Sequence, residues 1–313
     1  MLSGFTLRQL EYFVAIADNK TVAAAAETLF VSPSALSLAL GALETTLGVK
    51  LLIRQRSRGT TLTPMGEELV VEARKILSAS RSLESAASAI RGELSGPLNI
   101  GCFETLSPWV VPPVLEHFSR NFPQVSVGIR EGSADELQDE MRSGQVDAAF
   151  VFQLEVNSEL EPVQIAETRP QVLLAVNHPL AEQPEISLEQ LKDEPAILLS
   201  IRPAFDLVQT MMIKAGFTPN VRWKVRNVET LRSLVGRGFG YNIVLGWPGR
   251  LDSHDGYHLV RRPIADPLPN NSLQLVYPKG SLSNAKVRAL QEFALTDLPQ
   301  PGQRQSVPAD SHR

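Results

Sequence analysis

Residues 21–44 read TVAAAAETLFVSPSALSLALGALE, and the capping and apolar residues of this stretch decide the fold of the amino-terminal part of the chain. Thr21 is placed to cap a short helix, Phe30-Val31 interrupts it, and Ser32 caps a second helix that begins at Pro33. Proline suits that first helical position, where its missing N–H is not needed. Two such helices joined by a short turn predict a helix-turn-helix. The run Ala23 to Ala26 lets the helices approach closely, while Leu29, Val31, Leu36, Leu40 and Leu43 supply a core. Ahead of it, Leu7, Leu10, Phe13, Val14 and Ala17 recur at helical spacing and predict one buried stripe. An ordinary αα-hairpin has the same local pattern, so the choice between the two rests on the sequence that follows.

That sequence is VKLLIRQRSRGTTLT, residues 49–63, which predicts a β-hairpin wing with its turn at Ser57-Arg58-Gly59. Arg54, Arg56 and Arg58 alternate at or near its tip. On a strand they share one face, where they can follow a phosphate backbone or enter a minor groove. Between Thr45 and Gly66 they and Lys50 meet no acidic residue, which favours a DNA contact over a merely solvated face. From Thr63-Pro64 a long helix then runs to about Arg91. Leu69, Ala73, Ile76, Ser80, Leu83, Ala87 and Ile90 form a heptad seam along it. About 28 residues of helix span roughly 42 Å, and the seam faces no other candidate within the chain. Pairing with the same helix of a second subunit is therefore expected, with the small seam residues bringing the axes close. Two winged motifs related by a two-fold axis imply double-stranded DNA with inverted half-sites.

The whole chain obscures this charge pattern. Its 313 residues carry a net charge of −4, which on its face speaks against a phosphate-binding protein. Residues 1–91 have ten Lys and Arg against eight Asp and Glu, and residues 92–313 have twenty against twenty-six. The basic excess thus belongs to the amino-terminal part. With 43% hydrophobic and 20% charged residues the composition is that of a globular protein and excludes a disordered one. One cysteine, Cys102, excludes an intrachain disulfide framework. No stretch reaches the roughly 20 apolar residues of a membrane span, and MLSGFTLRQLEYF, residues 1–13, has no apolar run long enough for a signal sequence, so a cytoplasmic protein without a membrane partner is expected.

Composition shifts at Leu94-Ser95-Gly96-Pro97. Beyond it, strands are expected at 98–101, 125–129 and 147–152 with helices near 109–121 and 134–143, a βαβαβ pattern implying a parallel sheet. A second set follows, with strands at 172–176, 196–199, 221–225 and 241–245 and helices at 204–215 and 228–237. The fold class is α/β overall: a winged helix-turn-helix over 1–63, a linker and dimerisation helix over 64–91, and a two-lobed α/β domain over 95–298. Lobe I takes about 95–165 and 264–298, and lobe II about 166–263. The polar tail, 299–313, is expected to be disordered.

Leu7-Arg8-Gln9-Leu10 with Phe13, Ala25-Ala26-Glu27 with Leu29, Val31-Ser32, Ser34-Ala35-Leu36-Ser37, Leu43-Glu44, Leu47-Gly48-Val49, Arg54, and Leu62-Thr63-Pro64 with Gly66 form an ordered set. Gly96-Pro97-Leu98, Phe122-Pro123, Gly144-Gln145-Val146-Asp147, Ala215-Gly216-Phe217, Leu234-Val235 and Gly238-Phe239-Gly240 continue it. Through these residues the chain resembles the LysR-type transcriptional regulators from Leu7 to about Leu298. The resemblance implies a winged helix-turn-helix, a linker helix and an effector domain similar to periplasmic binding proteins. It also implies dimers of dimers whose DNA contacts change when a small molecule enters the cleft. In the family's pattern, residues matching Pro33, Ser34 and Ser37 lie on the recognition helix, and those matching Arg54 and Thr63 contact DNA. Leu38 and Ala39 stand where the family often has Arg and Gln, which implies more reliance on phosphate contacts and DNA shape. Leu245 replaces a proline common in the family, and Tyr241-Asn242 is a bulkier and more polar pair than usual.

The candidate DNA contacts are thus Thr21, Ser32, Pro33, Ser34, Ser37, Lys50, Arg54, Arg56, Arg58 and Thr63. For the cleft, ligands of α/β domains bind beyond the carboxyl ends of the strands, at helix N-termini. Thr105, Ser107, Ser133 and Arg202 are the first candidates, with Ser200, Phe152 and Asn227 behind them; any of these serines also reads as a plain helix cap. Arg202 points to an anionic effector, although Glu104 or Asp206 could neutralise it. The alternative function is a small-molecule-binding or catalytic α/β protein whose amino-terminal helices serve only assembly. Little supports catalysis. His254 and His258 flank Asp255-Gly256 in a loop pattern with no third metal ligand, and Gly236, Gly238 and Gly240 precede a strand rather than a helix. No enzyme activity, cofactor or metal is expected, and Cys102 reads as a packing residue rather than a thiol sensor.

Overall fold

The computed structural model describes residues 4–298 except 20, 56–58, 91–93, 153–157, 202, 203, 215 and 246–250. Three helices open the chain: α1 (Leu7–Asn19), α2 (Val22–Thr28) and α3 (Pro33–Leu47). The Thr21 hydroxyl accepts from the Ala24 amide and the Ser32 hydroxyl from the Ala35 amide, the two caps expected from the sequence. The last turn of α2 closes with Phe30 N–H to the Glu27 carbonyl at 3.2 Å and Val31 N–H to the Ala26 carbonyl at 3.0 Å. This double closure places Phe30 at φ +54°, a conformation usually left to glycine. Gly48, at φ +72°, ends α3 in the same left-handed region. Helices α2 and α3 meet at 108°, an angle typical of a helix-turn-helix.

Strands β1 (Leu52–Gln55) and β2 (Gly59–Leu62) form the antiparallel wing, with Arg54 opposite Thr60. Helix α4 (Pro64–Ile90) follows at once. Its first turn lies so close to the wing that a Cβ on Gly66 would stand 2.1 Å from the Leu51 carbonyl oxygen, so no larger residue fits there. The core of this unit joins Leu10, Phe13 and Ile16 of α1 to Leu36, Leu40 and Leu43 of α3, and adds Val70, Ala73 and Leu77 of α4. Two expectations are corrected here. Leu7 is exposed rather than part of the buried stripe, because α1 turns its 10/13/16 face inward. And α4 does find partners within its own chain. Ala73 is buried in the amino-terminal core, Arg74 pairs with Asp18 at 2.5 Å, and the buried Ser85 hydroxyl donates to the Asn284 side chain at 3.0 Å.

Lobe I is a five-stranded sheet built from β3 (Gly96–Phe103), β4 (Val125–Gly132), β5 (Ala148–Phe152), β6 (Leu160–Thr168) and β12 (Asn271–Pro278), in the order β4-β3-β5-β12-β6. The expected βαβαβ unit is present: β3 runs parallel to both β4 and β5, connected by α5 (Ser107–Asn121) and α6 (Ala134–Arg142). Alternation along β3 and β5 sends Leu98, Ile100, Cys102 and Phe150 to one face. There they meet Val110, Val114 and Phe118 of α5 and Val287, Leu290 and Phe293 of α9 (Ala285–Thr296). Ala149 and Val151 face Leu137 and Met141 of α6 on the other side.

Lobe II contains the antiparallel strands β10 (Asn242–Val244), β7 (Gln171–Ala175) and β11 (Leu259–Pro263), in that order. It also holds the parallel pair β8 (Pro195–Leu199) and β9 (Asn220–Val225), flanked by α7 (Ala204–Lys214) and α8 (Val228–Gly236). Backbone bonds from Ile197 to Tyr241 and from Tyr241 to Pro195 stitch β8 to the start of β10. Among the described residues, lobe II thus pairs β8 with β9 in parallel, joins β8 to Tyr241 by a parallel bridge, and pairs β7 antiparallel with β10 and β11. No single helix among the described residues is long and apolar enough to cross a membrane.

Candidate functional site

Two surfaces concern function. The first is built on α3. Its buried side is Leu36, Leu40, Leu43 and Glu44, which leaves Ser34, Leu38, Ala42 and Thr45 as one exposed stripe at spacings of four, four and three. Ser34 shares a hydrogen bond with Ser32 at 3.1 Å, and Ser37 is half-buried. At the far end Glu44 fixes the base of the wing. It accepts from the Lys50 amine at 2.6 Å and from the Leu51 amide at 2.9 Å. Burial alone would raise the Glu44 pKa, but the hydrogen bonds from Lys50 and from the Leu51 and Leu52 amides outweigh it and hold the carboxyl below its ordinary value. Thr63 completes the joint: its hydroxyl donates to the Lys50 carbonyl at 2.6 Å and accepts from the Gly66 amide at 2.9 Å. Lys50 and Thr63 thus hold the wing to α3 and α4, and Glu44, one residue before the acid-free stretch, supplies a counter-charge that the sequence count leaves out.

A folded-state pKa below the unfolded value means that Glu44 stabilises the protein above about pH 4.3, and that this contribution fades as pH falls through the folded value. Glu44→Gln is expected to cost about 2 kcal/mol at pH 7. The melting difference from the parent protein should shrink toward zero as pH falls through and below the folded value, and a difference that stays constant through an acid titration would remove the carboxylate's charge as the cause.

The second surface is a cleft of roughly 160 Å³ between the lobes. Lobe I contributes Thr105, Trp109 of α5 and Phe152 at the end of β5; lobe II contributes residues of β7, β8, β10, β11, α7 and α8. The walls are mostly apolar. Val228, Leu231 and Arg232 reach it from one face of α8 at the i, i+3, i+4 spacing. Arg261 on β11 enters beside them, and burial, followed by the neighbouring Arg232 guanidinium, pushes its pKa down. Arg232 donates to the Asp252 carbonyl at 2.7 Å and lies 3.4 Å from a Glu229 oxygen. Asn242 donates to the Ile197 carbonyl at 2.7 Å. The arrangement suits a small ligand with an apolar body and a polar end.

Residues 7–67 match the family described as bacterial regulatory helix-turn-helix protein, lysR family, and residues 91–299 match the LysR substrate binding domain. The chain belongs to the LysR family of transcriptional regulators. These proteins are regulators and not enzymes, and this one joins a helix-turn-helix domain to an effector-binding domain. It is similar to the HTH-type transcriptional regulator YvbU of Bacillus subtilis, at 30% identity over 291 residues, 91% of this chain and 95% of that protein. It is 28% identical over 289 residues to the DNA-binding transcriptional dual regulator OxyR of Escherichia coli, covering 91% and 93% of the two chains. A full-length OxyR structure from Pseudomonas aeruginosa superposes with a TM-score of 0.74 at 26% identity, covering 93% of this chain and 96% of that one.

Within this LysR frame, the cleft candidates and the wing arginines expected from the sequence separate into three groups. Thr105 and Phe152 line the cleft. Ser107, Ser133, Ser200 and Asn227 are engaged locally. Ser107 donates to Glu131, Ser133 forms a capping box with Glu136, Ser200 donates to the Val225 carbonyl at 3.2 Å, and Asn227 accepts from the Thr230 amide at 2.9 Å. Arg56, Arg58 and Arg202 lie outside the described residues, and of Arg54 only the backbone is described. The residues that sequence reasoning missed are Trp109, Arg232, Arg261 and Asn242. The unusual Tyr241-Asn242 pair was the signal for the last of these. Tyr241 is fully buried at the β8 junction and Asn242 beside it reaches the cleft. Cys102 is fully buried in lobe I, where burial and then Glu131 raise its thiol pKa. His258 pairs with Asp252 at 2.5 Å.

Proposed function

We propose that this LysR regulator binds inverted half-sites on double-stranded DNA as a homodimer, joins into tetramers, and responds to a small organic anion held in the interlobe cleft. The recognition surface is the exposed stripe of α3 together with the arginines of the wing. The effector's charged end faces Arg261 and Arg232. A body about the size of benzene occupies the apolar walls, since a cavity of roughly 150 Å³ accepts such a group. The protein acts in the cytoplasm. Relatives include hydrogen peroxide-inducible genes activators, but a lone, fully buried cysteine with a raised pKa favours ligand binding over thiol chemistry here.

The observation that carries the dimer is α4. Met65, Ile76 and Leu83 are exposed, with Leu69 half-buried and Ala87 exposed on the same side. At 100° per residue, this stripe lies about a third of a turn from the Val70, Ala73, Leu77 and Ser85 face that packs within the chain. Leu83 is 73% exposed and contributes nothing to the core of the single subunit. Leu83→Glu is therefore expected to leave the melting temperature of the effector domain unchanged and to shift the protein to monomer in sedimentation. Affinity for a two-half-site duplex should fall about a hundredfold or more as the second half-site contact is lost. A variant that stays oligomeric and binds unchanged would exclude α4 as the dimer surface.

A further inference from the structure

We propose that Leu38 is a specificity-determining residue that reads the 5-methyl group of a thymine in the major groove. The inference rests on the reading that α3 enters that groove, and three observations carry it. First, α3, PSALSLALGALETTL, holds no Arg, Lys, Asn, Gln or His, so no side chain on it can make a two-pronged donor contact to a base edge. Second, the hydroxyls of its exposed face are already engaged. Ser34 bonds with Ser32, Thr45 donates to the Gly41 carbonyl at 2.8 Å, and Thr46 to the Ala42 carbonyl at 3.0 Å. Third, Leu38 is 78% exposed at the centre of the stripe formed by Ser34, Ala42 and Thr45, with none of the described residues covering it. An exposed leucine on a soluble helix contributes little to the fold. The thymine methyl is the apolar group that a major groove offers at a base edge, and the neighbouring basic wing supplies the phosphate attraction that brings the groove to it.

Unlike reliance on phosphates and DNA shape alone, this contact is specific at one base and tied to one residue. The test begins with duplexes recovered from a random-sequence pool by the full-length protein. The recovered half-sites are expected to share at least one required thymine. Replacing that thymine with deoxyuridine removes only the methyl group, and affinity should fall about fourfold per half-site, or about sixteenfold for both, the worth of a buried methyl. Leu38→Ala, checked for an unchanged melting temperature, should lose a similar factor on the thymine duplex and bind thymine and deoxyuridine duplexes equally. Half-sites without a required thymine, equal binding of both duplexes by the parent protein, or a Leu38→Ala protein that still prefers thymine would each overturn the proposal. Recovery of no selective duplex at all would instead overturn the reading of α3 as a recognition helix.

Discussion

The triple variant Arg54→Ala, Arg56→Ala, Arg58→Ala is expected to lose affinity for duplex DNA of every sequence, by about a hundredfold or more at 50 mM salt. One phosphate contact for each of the three arginines, as proposed, would make six in the proposed dimer. Since each contributes about 0.9 to the slope of log affinity against log salt, the slope should flatten by about 5. The loss is uniform because phosphates carry no sequence information. It thereby differs from the base-specific loss expected at Leu38. Lys50→Ala serves as the internal comparison. Its amine is held by Glu44, so the variant should change the slope by at most about 1. A triple variant with the parent's affinity and slope would remove the wing from the DNA surface.

The second large effect concerns the cleft. In the presence of benzoate or a straight-chain carboxylate at a hundred times its Kd, the parent protein is expected to gain about 2.7 kcal/mol of stability. Arg261→Met removes a charge-assisted contact and should weaken binding about ten- to a hundredfold. At the same carboxylate concentration the gain then falls to about 0.4–1.4 kcal/mol. The uncharged amide benzamide should stabilise both proteins weakly and equally, and DNA affinity without ligand should not change. The sequence alone points to Arg202 as the anion's partner, so Arg202→Ala in the same melting series distinguishes the two arginines. An Arg261→Met protein that keeps the full carboxylate effect would exclude Arg261 from the site.

The amino-terminal unit was legible because its signals are local. Thr21 and Ser32-Pro33 each fix a helix start through contacts within four residues, and Thr63-Pro64 marks the start of α4. The same locality explains the error on α4. A heptad pattern shows which residues share a side, but not that Ala73 meets α1 or that Ser85 meets Asn284, partners 199 residues apart. Strands β6, β11 and β12 and helix α9 were not anticipated. β12 is buried on both faces, so it shows no alternation, and it pairs antiparallel with β5 and β6 across more than a hundred residues.

The cleft was half legible for a related reason. Polar residues at helix starts are where ligands often bind, but they are also where helices need caps, and Ser133 and Asn227 serve the second purpose. Arg232 and Arg261 converge only because α8 packs on the antiparallel strands of lobe II. No spacing in the sequence announces that meeting.

The coupling of cleft to DNA is the centre of this account. It is tested most directly by titrating the intact protein onto its own upstream region with and without the carboxylate that gives the largest Arg261-dependent stabilisation. Saturating the cleft is predicted to change the DNA affinity at least fivefold or to alter the protected half-sites, because a ligand shifts an equilibrium only through its different affinity for the two states. Identical affinity and identical protection with the cleft occupied would contradict it.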